Sequence, residues 1–336
     1  MDNRITIQGE NFMLNGKLVW INGANTPWNV WNDFGGAYDD TWWNTHLAQL
    51  HESGANATRV WVNCNNEQGA VLLEEDGTVT GVSPKHWEHL DLFFAAAARN
   101  KIYIMATLLS FDHYKDEKGR NEAQRWRNML ACDAAVNSYC EHYVIPFVNR
   151  YKSNPYLWSI DLMNEPDWVH ENPECGNRPW EDISRLFARA AAAIHENSPI
   201  LVTVGMASPK YQCNGEHYEG NKVSDAFLQN IYPNPGAYLD FWSPHYYDWV
   251  GEHYGVPFTG KPYGTRATGG WGLQCGRPAV IAECPALGSK NSTITQDYTN
   301  AHANGWHGVM PWTSNGVDKC GGFDDLQPAL QKMLVP

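Results

Sequence analysis

The chain has 336 residues, with 37 acidic against 24 basic side chains (net charge −13), 43% hydrophobic residues and only 18% charged ones. This composition excludes a disordered polyelectrolyte; with no basic run it also argues against a nucleic-acid partner, whose phosphates need a clustered Lys/Arg footprint. No membrane span is expected, because the most apolar stretch, Leu90 to Ala98, falls far short of the roughly 20 residues that cross hydrocarbon.

The opening segments Ile5-Thr-Ile-Gln-Gly and Phe12-Met-Leu-Asn-Gly-Lys-Leu alternate around two glycine turns. That predicts a short β-hairpin over residues 1–18, placed to plug one end of the main fold. Eight β-branched or apolar runs follow: Val19–Ala24, Ala57–Val62, Ile102–Leu109, Leu157–Met163, Ile200–Gly205, Phe241–Tyr246, Ala279–Ala282 and Gly308–Trp312. Helical patterns separate most of them, at Asp40–Ser53, Pro84–Asn100 behind a Ser83 cap, Asp133–Tyr151 and Pro179–Asn197, with shorter ones at Ser224–Asn230, Thr293–Asn304 and Asp324–Leu334. The stretch Asp248–Arg277, rich in glycine and aromatics, reads as loop. Repeated βα units predict an α/β fold, a parallel (β/α)8 TIM barrel whose chemistry sits in the loops after the strand C-termini. No linker or compositional break interrupts residues 20–336, so one catalytic domain over 1–336 is expected.

Sixteen Trp, 16 Tyr and 11 Phe accompany a low mean hydropathy of −0.49, which puts many rings at polar surfaces. A flat apolar face with a polar edge suits stacking on a sugar ring, although an aromatic-rich core is about as good an account of any single Trp. The eight cysteines contain no CxxC pair, against a zinc ribbon; fully paired, they admit 105 connectivities. Their even number and the sequons Asn56-Ala-Thr58 and Asn291-Ser-Thr293 are compatible with a secreted, oxidising setting. The N-terminus lacks the apolar core of a signal peptide, so a secreted protein is expected only with that peptide already removed. A monomer is expected.

Chemistry-bearing residues gather where a barrel needs them. Arg59 and Asn63 lie at the end of run two, Asp112 and His113 after run three, Asn164-Glu165-Pro166 at run four, His245-Tyr246-Tyr247 at run six, Glu283 at run seven and Trp312 at run eight. Either Glu alone is better explained by a salt bridge or helix cap. Together they can converge across one barrel, and paired carboxyls are what glycoside hydrolysis requires: one protonates the leaving oxygen, the other attacks the anomeric carbon or activates water. A separation of about 5 Å retains configuration and a wider one inverts it. After run one, Trp28, Asn29 and Trp31 in a glycine-ended loop fit a sugar subsite, rings stacking while amides bond hydroxyls. Trp61, Trp168, Trp249 and Trp271 follow or end strands in the same way. Two other classes compete. A metal-dependent barrel hydrolase needs ligands paired close in sequence, such as His-x-His on the first strand, and Asn25-Thr-Pro-Trp offers none. A sugar-binding barrel without catalysis is expected to have lost one Glu.

The ordered set Arg59, Asn164-Glu165-Pro166, His245-Tyr246-Tyr247, Glu283 in Val-Ile-Ala-Glu-Cys-Pro and Trp312 resembles glycoside hydrolase family 5, in the clan of retaining barrel glycosidases, over nearly the whole chain. The resemblance implies Glu165 as acid/base and Glu283 as nucleophile, with Arg59 and Tyr247 keeping Glu283 ionised. It further implies Asn164 at the sugar 2-hydroxyl, His245 orienting the acid/base, His113 as a third-strand substrate contact, and Trp312 as the floor under the reacting sugar with a cis Trp312–Thr313 peptide. No metal or other cofactor is implied. Cys284 departs from the apolar residue common after the nucleophile. The expected substrate is a polysaccharide or oligosaccharide, cleaved internally at β-1,4 bonds of cellulose or mixed-linkage β-glucan. β-Mannan is the second choice, and an exo mode follows if Asn63–Ser83 or Trp168–Pro179 walls off one end.

Overall fold

Alternating residues at the N-terminus form strands β1 (Thr6–Gln8), β2 (Asn11–Leu14) and β3 (Lys17–Leu18) in an antiparallel three-stranded sheet, one strand more than the expected hairpin. The computed structural model describes residues 3–116 and 122–334. Ile5 and Phe12 are buried in a cluster with Ile21, Ala57, Met105, Trp158, Leu201, Phe241, Val280 and Met310 from the strands of the main sheet. Phe12 meets Trp158 and Phe241 edge-on, each at 5.3 Å. The N-terminal sheet thus closes the bottom of the barrel.

The barrel strands are β4 (Ile21–Asn25), β5 (Ala57–Trp61), β8 (Tyr103–Thr107), β9 (Leu157–Asn164), β10 (Leu201–Met206), β11 (Ser243–Pro244) and β14 (Gly308–Val309). Between them lie the hairpin β6 (Val71–Leu73) and β7 (Val79–Val82) and the pair β12 (Lys261–Tyr263) and β13 (Gly270–Leu273). Seven strands hydrogen-bond in the order β11-β10-β9-β8-β5-β4-β14, every neighbouring pair parallel. The segment 279–285 closes the ring between β11 and β14 through parallel bridges Trp242–Ala279, His245–Glu283, Ile281–Val309 and Pro285–Trp312. All eight expected runs therefore take part. Their strands are buried on both faces, as in sheets covered by helices.

The expected helices recur with ends moved by a residue or so, at Asp40–Glu52, Pro84–Asn100, Trp180–Asn197, Asp225–Ile231, Ile294–Ala303 and Phe323–Lys332. Asp133–Tyr151 is not one regular helix, because a π turn at Cys140–Val144 divides it. Pro146 lacks an N–H and its ring crowds the preceding turn, and a widened turn accommodates both. Helices at Glu122–Ala131, Pro166–Glu171 and Asp248–Tyr254 were not expected; the last, with β12 and β13, corrects the loop reading of Asp248–Arg277. No helix of the described residues is long and apolar enough to cross a membrane.

All eight cysteines are free thiols, six of them wholly or partly buried. The Asn56 amide bonds Trp20 O at 2.8 Å and accepts from the Asn22 N–H at 3.0 Å, so this sequon residue ties β4 to β5.

Candidate active site

Strand ends at the rim opposite the plug deliver one polar network. Arg59 on β5 is fully buried, and a buried guanidinium must have its donors and its charge matched. Nη2 and Nε reach Asp161 Oδ2 at 2.7 and 3.0 Å, Nη2 also reaches Asn164 Oδ1 at 2.8 Å, and Nη1 reaches Asn25 Oδ1 at 3.1 Å and Glu283 Oε1 at 2.6 Å. Its plane lies 4.4 Å from the Trp61 ring. Asp161 is satisfied in turn by the Gly205 N–H at 2.9 Å and the Thr107 hydroxyl at 3.2 Å. Gly205 is required by close approach: a Cβ there would lie 2.8 Å from both Arg59 Nη2 and His245 Nε2.

The two carboxyls have different neighbours. Glu283 Oε2 accepts from the Tyr247 hydroxyl at 2.9 Å, while its other oxygen holds Arg59. Glu165 follows β9 in a left-handed conformation (φ 48°) before Pro166; its oxygens meet Trp168 Nε1 at 2.8 Å and His245 Nδ1 at 2.9 Å. His245 Nδ1 also lies 3.5 Å from Glu283 Oε2. One oxygen of Glu165, one of Glu283 and one His245 nitrogen all fall within 4.8 Å of one another.

Burial pushes Glu165 up to about 7, against the opposing pull of its Trp168 bond and Arg59. Burial raises Glu283 as well, opposed by His245 and by Arg59 in direct contact. His245 is driven down to about 4 by burial, so the imidazole is neutral at neutral pH. The same three residues form the one cluster among the described residues with metal-ligand spacing. Arg59 already supplies a cation at 2.6 Å from Glu283, and a second would be repelled.

Above the network is a cleft of about 530 Å³. Asn164, Glu165, Tyr247, Glu283, Trp312, Trp28 and Trp31 line it, while Arg59 and His245 stand behind the carboxyls. Trp61, Trp168 and Trp249 also face it; Trp271 does not, being buried against Tyr246 and Trp306. The rings form two groups. Trp28, Trp31, Trp61 and Trp312 interlock edge-on with centroids 4.6–5.9 Å apart, on the side of β14, β4 and β5. Trp168 and Trp249, 5.9 Å apart, follow β9 and β11 across the barrel. The Trp312–Thr313 peptide is cis, and the Trp312 indole bonds Asp318 at 3.2 Å.

Two expected contacts are corrected. His113 is buried away from the cleft, within hydrogen-bond distance of Ser110 N at 3.1 Å and edge-on to Trp126 at 4.7 Å; its neighbours Phe111 and Asp112 line the cleft instead. Asn29 does not line it, and its backbone N–H closes a turn onto Asp33. Sequence reasoning missed Asn25, Asp161 and Asp318. Asp161 had left a signal: an Asp inside the apolar strand Leu157–Asn164 needs a buried partner, and Arg59 was the candidate.

No family model matches the chain. The mannan endo-1,4-β-mannosidase of Mytilus edulis is 25% identical over 341 residues, covering 94% of this chain and 89% of that protein. The enzyme of the same name from Cryptopygus antarcticus is 25% identical over 342 residues, covering 93% and 85%. The X-ray structure of β-mannanase from the blue mussel superposes with a TM-score of 0.85 at 23% identity, over 99% of this chain and 96% of that one, so the barrel fold is shared.

Proposed function

We propose that this chain is an endo-β-1,4-mannanase of glycoside hydrolase family 5, in the clan of retaining barrel glycosidases. The observation that carries a retaining mechanism is the unequal treatment of two carboxyls within 4.8 Å of each other. Their spacing belongs to the about 5 Å class that leaves no room for an attacking water, against roughly 6.5–9.5 Å in inverting enzymes.

Glu165, held protonated by burial up to about pH 7, gives its proton to the glycosidic oxygen. Glu283, fixed by Arg59 and Tyr247, attacks the anomeric carbon, and the sugar becomes a covalent ester on Oε as the leaving chain departs. Glu165, now a carboxylate, takes a proton from water, which attacks the same carbon from the face the leaving group vacated, and the bond to Glu283 breaks to return its carboxylate. The net configuration is retained. Asn164 lies in the cleft beside both carboxyls and meets the 2-hydroxyl of the reacting sugar; its Oδ1 is already oriented by Arg59. Trp312 forms the floor.

The sequence favoured β-glucan, but the relatives are named for mannan, which moves the reading to β-mannan. The two sugars differ in the axial or equatorial 2-hydroxyl, a distinction that one or two hydrogen bonds can make. Ring groups on both sides of the carboxyl pair support internal cleavage, since each offers stacking for sugars on its side of the bond. A polymeric substrate also favours action outside the cell. The test is hydrolysis of galactomannan, glucomannan, carboxymethyl-cellulose and barley β-glucan, with product lengths and the first-formed anomer followed by NMR. Mannans should fall to oligosaccharides of mixed length with the β-anomer first. Cleavage of the glucans without the mannans, or an α-anomer first, sinks the reading.

A further inference from the structure

The cleft does not end at the acid/base carboxyl. Trp249 lines both the catalytic cleft and a second depression of about 450 Å³, walled by Glu171, Glu252, His253 and Tyr254. Two short helices build it. Pro166–Glu171 carries Trp168 and Glu171 three residues apart, and Asp248–Tyr254 carries Trp249, Glu252 and His253 at i, i+3 and i+4, so each set shares a helix face. The rings make a row leading away from Glu165. Trp168 donates to Glu165 at 2.8 Å, Trp249 is 5.9 Å from Trp168, and Tyr254 is 6.4 Å from Trp249.

The Trp168–Trp249 step is close to the length of one β-1,4-linked hexose, and the largely buried Tyr254 backs the far end of the row. Trp249 is exposed at 39% and lines both depressions, so its ring is open to a ligand that spans them. The polar rim has hydrogen-bonding groups for sugar hydroxyls, and Glu171 is anchored by Lys210 Nζ and the Tyr211 hydroxyl, both at 2.6 Å. Glu171 and Glu252 are each paired with a lysine, Lys210 at 2.6 Å and Lys290 at 2.8 Å, so the rim is charge-balanced and suits a neutral sugar.

We propose that this depression is a distal subsite for the leaving-group side of a neutral β-1,4-linked hexose chain, with Trp249 as its stacking platform. The inference rests on Glu165 being the acid/base of a β-1,4-glycanase. It makes catalytic efficiency depend on how many sugars lie beyond the bond being cut.

The test compares wild type with Trp249→Ala, Trp249→Phe and His253→Ala on mannotriose and mannohexaose, mapping cleaved bonds by mass spectrometry in 18O-water. Trp249→Ala should lower the ratio of kcat/KM for the hexaose over the triose about tenfold and move cleavage toward the reducing end. His253→Ala should shift the ratio in the same direction, and Trp249→Phe, which keeps a ring, should restore most of it. A ratio and cleavage pattern within twofold of wild type for Trp249→Ala overturns the subsite. If wild type cleaves cello- but not manno-oligosaccharides, the mannan reading fails by itself; the same ratio on cello-oligosaccharides then decides the subsite.

Discussion

Arg59 and Asp161 form a fully buried ion pair, both side chains at 0% exposure, in which Nη2 and Nε converge on a single carboxylate oxygen. The guanidinium therefore divides its charge between Asp161, which meets no substrate, and Glu283, which faces the cleft. On the proposed mechanism, in which Glu283 is the nucleophile, Asp161 should set how strongly Arg59 holds it ionised.

Asp161→Asn removes one of the two anions and leaves Arg59 acting on Glu283 alone. Removing a nearby negative charge favours the ionised carboxyl, so the acid limb of kcat/KM should move to lower pH. A buried charge deprived of its partner also costs stability, on the order of 3–5 kcal/mol when nothing replaces it; Asn164, Asn25 and Glu283 still bind Arg59, so the loss should fall below that range. The pH–rate profile and thermal midpoint check both. An unmoved acid limb with a lowered midpoint reduces Asp161 to a structural role.

The two carboxyls should fail in different ways. Glu283→Ala removes the proposed nucleophile, so activity should collapse for every leaving group, and azide filling the vacancy should yield the α-glycosyl azide. Glu165→Ala removes proton donation, so glycans suffer far more than aryl glycosides, and azide traps the intermediate as the β-product. A β-azide from Glu283→Ala reverses the assignment. Variants within about tenfold of wild type, a barrier change of ~1.4 kcal/mol, mean neither Glu is catalytic.

As the proposed acid/base, Glu165 must carry its proton when the leaving group departs, and burial holds it up to about 7. The protonated form dominates below that value and is lost above it, so kcat/KM should fall as pH rises through about 7. The limb should be carried by a carboxyl, because His245 is held near 4 and is neutral across this range. The profile measured on an unactivated oligosaccharide gives the limb. An aryl substrate that needs no proton should lack it, and an identical limb on both substrates detaches it from Glu165.

Phe12→Ala separates scaffold from site. The ring is 1% exposed and lies in the barrel-bottom cluster, at the end away from the carboxyls. Truncating a buried Phe costs about 3–5 kcal/mol through lost burial and the cavity left behind. The denaturation midpoint should drop accordingly, while kcat/KM at a temperature where the variant stays folded remains near wild type. A loss of activity without loss of stability would tie the plug to the site.

The sequence alone determined the barrel and the identity of its carboxyl pair. Period-two and period-3.6 patterns report which face of each element is buried, and strand ends in a parallel barrel have one possible destination, so Glu165 and Glu283 were legible from position alone. Trp168 and Trp249 were legible as candidates, but which side of the cleft they serve depends on helices 166–171 and 248–254, too short to leave a clear period. His113 and Asn29 had suitable chemistry at suitable places in the chain; local backbone geometry turned one into the Ser110 turn and used only the backbone of the other. The division of Arg59 between Asp161 and Glu283, and the different neighbours that distinguish Glu165 from Glu283, were left to tertiary structure. Charge matching and burial are set by atoms that meet across a sequence separation of 224 between Arg59 and Glu283, and no local pattern records which of them will touch.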